Sequence, residues 1–250
     1  ETEGETDRQT ALIVDHRAQT GDSEGDETPL AYIREAALGM TASAAAHTDP
    51  LSLWTVGDDG LTTTIAAGST PTTYTRVRST LLTLTQTTAA TPHRPAPGRR
   101  VRTVVDTLEP DQPAAATLQP YVSASAATVE AVRDDAFVDA VHRARTQLGT
   151  EVWLVLVTTD SDPTRLRESV QIATQGGATV LVLIVPTVFF QQPRLESIRE
   201  TYDSYTEFEE LRRELDAHPR VTALEVAPGD RLHALLASTR GDSRRAEGRS

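Results

Sequence analysis

Three unbroken apolar runs constrain this chain more than any other feature: "ALIV" at 11–14, "VWLVLV" at 152–157 and "ATVLVLIV" at 178–185. Leucine and β-branched residues without polar alternation mark strands covered on both faces, as in a parallel sheet between two helical layers. "LSLWTV" (51–56) alternates more, and with the "GDDG" turn and "LTTTIAA" behind it predicts a hairpin at one sheet edge. "VTALEV" (221–226) completes the strand set.

Helices fall between these strands. Thr28-Pro29, Thr70-Pro71 and Asp162-Pro163 each place a capping side chain before a proline at the first helical position. The first opens a helix with Leu30, Ile33, Ala37 and Met40 on one face; the second aligns Tyr74, Val77, Leu81 and Leu84. Residues 128–148 predict a third, through Val132, Phe137, Val141 and Leu148. Residues 194–217 predict another, with Leu195, Ile198, Tyr202, Tyr205, Phe208 and Leu211 at three- and four-residue steps. That aromatic stripe reads as core, with a ligand groove as the alternative. The order β-α-β-β-α-(loop)-α-β-α-β-α-β-α implies a doubly wound, mostly parallel α/β sheet of Rossmann-like type with helices on both faces. Residues 9–240 read as a single domain, with tails at 1–8 and 241–250. From 86 to 127 the pattern dissolves into Pro-, Ala- and Thr-rich sequence, read as a loop-rich insertion.

Composition narrows the function classes. There is no cysteine, which excludes disulfides and thiolate metal sites. No apolar run approaches the ~20 residues that cross a bilayer, and no signal peptide is visible. A chain beginning at Glu1 reads as a piece of a longer protein, whose remainder would carry any membrane anchor. The net charge is −12, and all 24 basic residues are arginine. Such acidity fits a halophilic setting, because at about 1 M salt the Debye length is ~3 Å and self-repulsion is screened. It argues against nucleic acid, since the only basic stretch is "GRRVR" at 98–102.

In doubly wound sheets ligands gather at the carboxyl ends of the strands. Asp15 follows the first strand and Asp160 follows "VWLVLVTT". If the strands are neighbours, the two carboxylates share one crevice, a setting that suits Mg²⁺; otherwise each caps a loop or helix. "DSD" (160–162) has a spacing some metal-dependent transferases use, but Asp162 before Pro163 reads better as a helix cap. "TQGGAT" (174–179) reads as a helix end leading into a strand rather than a phosphate loop. The six histidines lack metal spacing, and no G-x-S-x-G appears. His16 beside Asp15 has no nucleophile to serve as a base.

"ALIVDHRAQT", an alanine-rich helix, "DPLSLWTVGDDG" and "EVWLVLVTTDSDPTRLRESVQIATQGGATVLVLIVP" occur in that order. The series resembles the von Willebrand factor type A fold, in the branch found in domain-of-unknown-function 58 proteins, over residues 9–88 and 128–190. The resemblance implies an ion site of the form Asp-x-Ser-x-Ser, a loop threonine and a later aspartate. Carried over, the aspartates are Asp15 and Asp160, and Thr128 is a candidate for the threonine. Arg17 and Gln19 stand where the serines belong, so the site is degenerate: the expected cofactor is none, with Mg²⁺ at Asp15 and Asp160 the weaker option. Either the Arg17 guanidinium bridges Asp15 and Asp160 in place of an ion, or it points to solvent in an acidic loop. The resemblance also implies a non-enzymatic adaptor acting with a MoxR-type AAA+ ATPase at the cytoplasmic face of the membrane. Its partner-binding surface would comprise Asp15, Arg17, Gln19, Asp58, Thr159 and Asp160, in the crevice and the loops 16–28 and 57–60. The alternative is a Mg²⁺-dependent hydrolase or transferase using Asp15, Asp160 and Asp162.

Overall fold

A computed structural model describes residues 9–21, 28–88, 135–148, 152–190 and 198–226, with side chains in the last stretch from Tyr202 onward. The strands are β1 (Gln9–Asp15), β2 (Leu51–Gly57), β3 (Gly60–Gly68), β4 (Val152–Thr159), β5 (Thr179–Val185) and β6 (Val221–Glu225). They form one sheet in the order β3-β2-β1-β4-β5-β6, parallel except for β3, which runs antiparallel to β2. The helices are α1 (Pro29–His47), α2 (Pro71–Leu82), α3 (Ala136–Gln147), α4 (Pro163–Thr174) and α5 (Ile198–Asp216). This is the doubly wound Rossmann-like α/β architecture expected from the apolar runs.

Strand parity sorts the core. Leu12, Val14, Leu51, Leu53, Val155, Val157, Leu181 and Leu183 pack against α1 and α2. Ala11, Ile13, Trp54, Val56, Leu154, Leu156, Val182 and Ile184 face α3, α4 and α5. Successive side chains of a strand point to opposite faces, so both parities of β1, β4 and β5 must be apolar. β2 is buried over all seven residues, because α3 covers Trp54 and Val56 on one face and α1 and α2 cover Leu51 and Leu53 on the other.

Helix starts follow the proline rule, with one exception. Thr70 accepts a hydrogen bond from the backbone N–H of Thr73, and Asp162 from that of Arg165, as capping side chains do. Thr28 is extended before Pro29 but makes no side-chain cap. Its proline sets the first φ and removes one orphan donor, so the helix begins without it. At the end of α4, Gly176 (φ 73°) and Gly177 (φ 88°) make the left-handed turn into β5. The helix expected over 128–148 does not run through Asp135, which is extended at the cap of α3. Of 128–148 the described helix is α3, and Thr128 and Val132 lie outside the described residues. So do the tails, the insertion from 89 onward, the Leu195 side chain and any helix after β6. On α5, Phe208, Leu211 and Leu215 are core, whereas Tyr202 is 69% exposed and does not belong to the buried stripe.

Candidate functional site

The crossover between β1 and β4 reverses the strand order, which opens the sheet's ligand crevice at the carboxyl ends of those strands. Asp15 closes β1. By parity it follows Ala11 and Ile13 onto the α3 face, while His16 follows Leu12 and Val14 onto the face of α1 and α2. In register Val14 pairs with Val157, so Thr158 stands beside Asp15 on the neighbouring strand. The Thr158 hydroxyl donates to Asp15 Oδ2 at 2.7 Å.

Arg17 completes the group. Its Nη2 donates to Asp15 Oδ2 at 2.8 Å and its Nε to Oδ1 at 3.0 Å, a paired fork on one carboxylate. The backbone N–H of Arg17 also reaches Oδ1 at 3.0 Å. Nη1 turns the other way, to Asp135 Oδ2 at 2.7 Å. The other oxygen of Asp135 caps α3, accepting from the N–H groups of Phe137 and Val138. The guanidinium carbon lies 5.4 Å from the centroid of the Phe137 ring. Asp15 is fully buried and Arg17 is 9% exposed. Burial works against the Arg17 charge, but the Asp15 carboxylate, then Asp135, outweigh it and push its pKa above the ordinary arginine value.

The expected bridge thus exists with a different second carboxylate. Arg17 joins Asp15 to Asp135, not to Asp160. β1 and β4 are neighbours as the crevice reading required, yet Asp160 lies past the end of β4 and turns towards β5. There its Oδ1 accepts the backbone N–H of Thr187 at 2.8 Å, anchoring the turn after β5. Arg17 is also not a solvent-facing loop residue. Asp135 escaped notice in the sequence because the helix was expected to start before it; an aspartate ahead of "AFVDAV" is the capping signal that identifies it. Thr158 could be found by counting register from the ends of the two apolar runs.

On the opposite face the segment after α2 straps down over β1 and β2. His16 Nδ1 meets the Thr85 carbonyl and Nε2 meets Thr62 Oγ1, both at 2.7 Å, and the Thr87 N–H donates to the His16 carbonyl at 2.9 Å. A carbonyl partner requires the proton on Nδ1. Asp58 Oδ2 receives the Thr87 hydroxyl at 2.5 Å and the Ala18 N–H at 3.0 Å, and Gln86 fills the hollow left by the missing side chain of Gly21. Thr159 is 3% exposed, and its hydroxyl is bonded to that of Ser161. Gln19 is half-buried on a 3-10 turn (Ala18–Gly21). Of the proposed contact residues, Asp15, Arg17 and Thr159 therefore lie beneath the surface, and Gln19, Asp58 and Asp160 lie at its rim.

The donor set does not fit Mg²⁺ at Asp15, because both carboxylate oxygens are already held by a fixed cation and a hydroxyl. Among the described residues no three His, Asp or Glu side chains are grouped to hold a metal, and no helix is long and apolar enough to cross a membrane. The sequence matches no protein-family model and no curated protein.

Asp160 gives a pH test. Burial pushes its carboxyl above the ordinary value of 3.8, with the Thr187 N–H working in the opposite direction. The folded chain therefore holds this proton more tightly than the unfolded chain, and stability declines as pH rises from about 4 through the raised value. Asp160→Asn keeps an acceptor for Thr187 and removes the titration. Its stability relative to the wild type should grow over that pH window and then level off, as read by urea unfolding. A difference that stays flat with pH would show that ionised Asp160 carries no burial cost.

Proposed function

We propose that this chain is a non-enzymatic protein-binding domain of von Willebrand type A-like design, in which Arg17 takes the place of the metal ion. One observation carries the reading: the guanidinium sits on both oxygens of Asp15 and extends its remaining nitrogen to Asp135. A cation supplied by the chain organises the crevice floor, and no solution ion is needed to hold it. The strand order, with its single antiparallel edge strand, supports the same design. Among the described residues, Asp15, Asp135 and Asp160 are committed to Arg17, Thr158 or backbone N–H groups, which argues against a general base or a metal-activated water at this place. Contact with a partner then falls to the rim: Gln19, Asp58, Asp160 and the loops that carry them. The partner is a MoxR-type AAA+ ATPase, met at the cytoplasmic face of the membrane.

Two titrations test the reading. Mg²⁺ or Mn²⁺ added to the domain in molar KCl should give no saturable heat, and a MoxR-type ATPase passed over the immobilised domain should bind saturably. Saturable Mg²⁺ heat abolished by Asp15→Ala and Asp160→Ala would remove the guanidinium-for-ion idea. Failure of the ATPase to bind would remove the partner. Mg²⁺-dependent turnover of p-nitrophenyl phosphate, lost in the same variants, would favour the hydrolase or transferase.

A further inference from the structure

The outer side of β3 is the end of the sheet: β2 pairs with one side, and among the described residues nothing pairs with the other. An open edge exposes a row of N–H and C=O groups to any chain that can lie beside it, and proteins usually guard such edges with charges, proline or short strands. This edge has none of those guards. β3 runs for nine residues, and from Gly60 to Thr75 the sequence holds no charged side chain, in a chain where 24% of residues are charged. Thr62, Thr64, Ala66 and Ala67 are exposed and small. The ladder with β2 shifts register near each end of β3, but Thr63, Thr64 and Ile65 pair regularly opposite Thr55, Trp54 and Leu53. The middle of the edge is therefore flat enough to accept another strand.

We propose that β3 pairs antiparallel with β3 of a second copy of this chain, about a two-fold axis near Thr64, joining two sheets into one. Charge argues for this occupant. Each copy carries −12, and although salt screens this at a distance, like charges brought into contact still repel, so two copies meet best where both are uncharged. The two-fold arrangement is self-complementary, each strand offering the other the same row of donors and acceptors. It also sets the start of one strand against the end of its partner. At the start is the acidic turn with Asp58 and exposed Asp59. The end leads through Ser69 and Thr70 into α2, which exposes Arg76. Acid thus faces arginine at both ends of the seam, and the uncharged threonines lie between. Strand pairing alone buries less than the roughly 1,000 Å² of a stable interface, so the dimer forms at the upper end of the concentration range.

Sedimentation velocity over a wide concentration range tests this independently of any partner or ion. The expected mass is twice 27.0 kDa at the upper end. Thr64→Pro, which blocks the ladder, and Thr64→Lys, which sets two like charges at the axis, should each return the chain to 27.0 kDa with an unchanged circular dichroism spectrum. Asp59→Arg and Arg76→Glu should each weaken the dimer, and the two together should restore it. A mass of 27.0 kDa at every concentration would overturn the proposal. So would a dimer that survives both changes at Thr64.

Discussion

Arg17→Ala should be the most damaging single substitution at the crevice, lowering stability by about 3–5 kcal/mol, the usual cost of leaving one member of a buried ion pair alone. The size follows from what remains. Asp15 is fully enclosed and would keep only Thr158 and one backbone N–H as partners, with no positive charge beside it. Asp135 would lose the guanidinium on its Oδ2 and keep only the two N–H groups of the α3 cap on Oδ1. The double variant Arg17→Ala, Asp15→Asn should recover a large part of the loss, because an amide tolerates burial without a counter-charge. Millimolar guanidinium, far below denaturing levels, should raise the melting temperature of Arg17→Ala and leave the wild type unchanged. Chemical unfolding of the four combinations measures the coupling. Additive effects in the double variant would mean that the two side chains do not act as a pair.

Phe137→Ala should cost a similar amount, about 3–5 kcal/mol, for a different reason. Phe137 is 2% exposed and is among the largest fully enclosed side chains of the fold. It fills the space between the first turn of α3 and the β1 and β2 residues on that face, and its ring lies against the Arg17 guanidinium. Removing it opens a cavity directly under the ion bridge. Phe137→Leu should cost much less, since most of the volume stays. Urea unfolding of the two variants separates volume from stacking. If Leu proved as harmful as Ala, the guanidinium–ring contact would outweigh cavity formation.

The layers of this protein were legible from the apolar runs because a strand buried on both faces cannot alternate, and few other structures produce such runs. The antiparallel β3 was legible from a turn signal at 57–60. Local chemistry was harder to place. An Arg17–Asp15 pair could be expected from their spacing, but the second partner of Arg17 lies more than a hundred positions along the chain, at a helix start that periodicity did not define. Hydrophobic period locates the middle of a helix; only the capping residue locates its end. Asp160 looked like a crevice ligand because it follows β4, yet a residue one step beyond a strand is free to leave the strand's parity. It caps the neighbouring turn instead. Tyr202 matched the stripe of α5 in spacing and still faces solvent, since burial depends on what lies opposite the helix.

The strap and the bridge meet at two consecutive residues. His16 receives the chain at Thr85 and Thr87, and Arg17 receives it at Asp135. Two neighbouring positions thus act as a double clasp, each holding a segment far away in sequence, so loosening one should be felt at the anchor of the other.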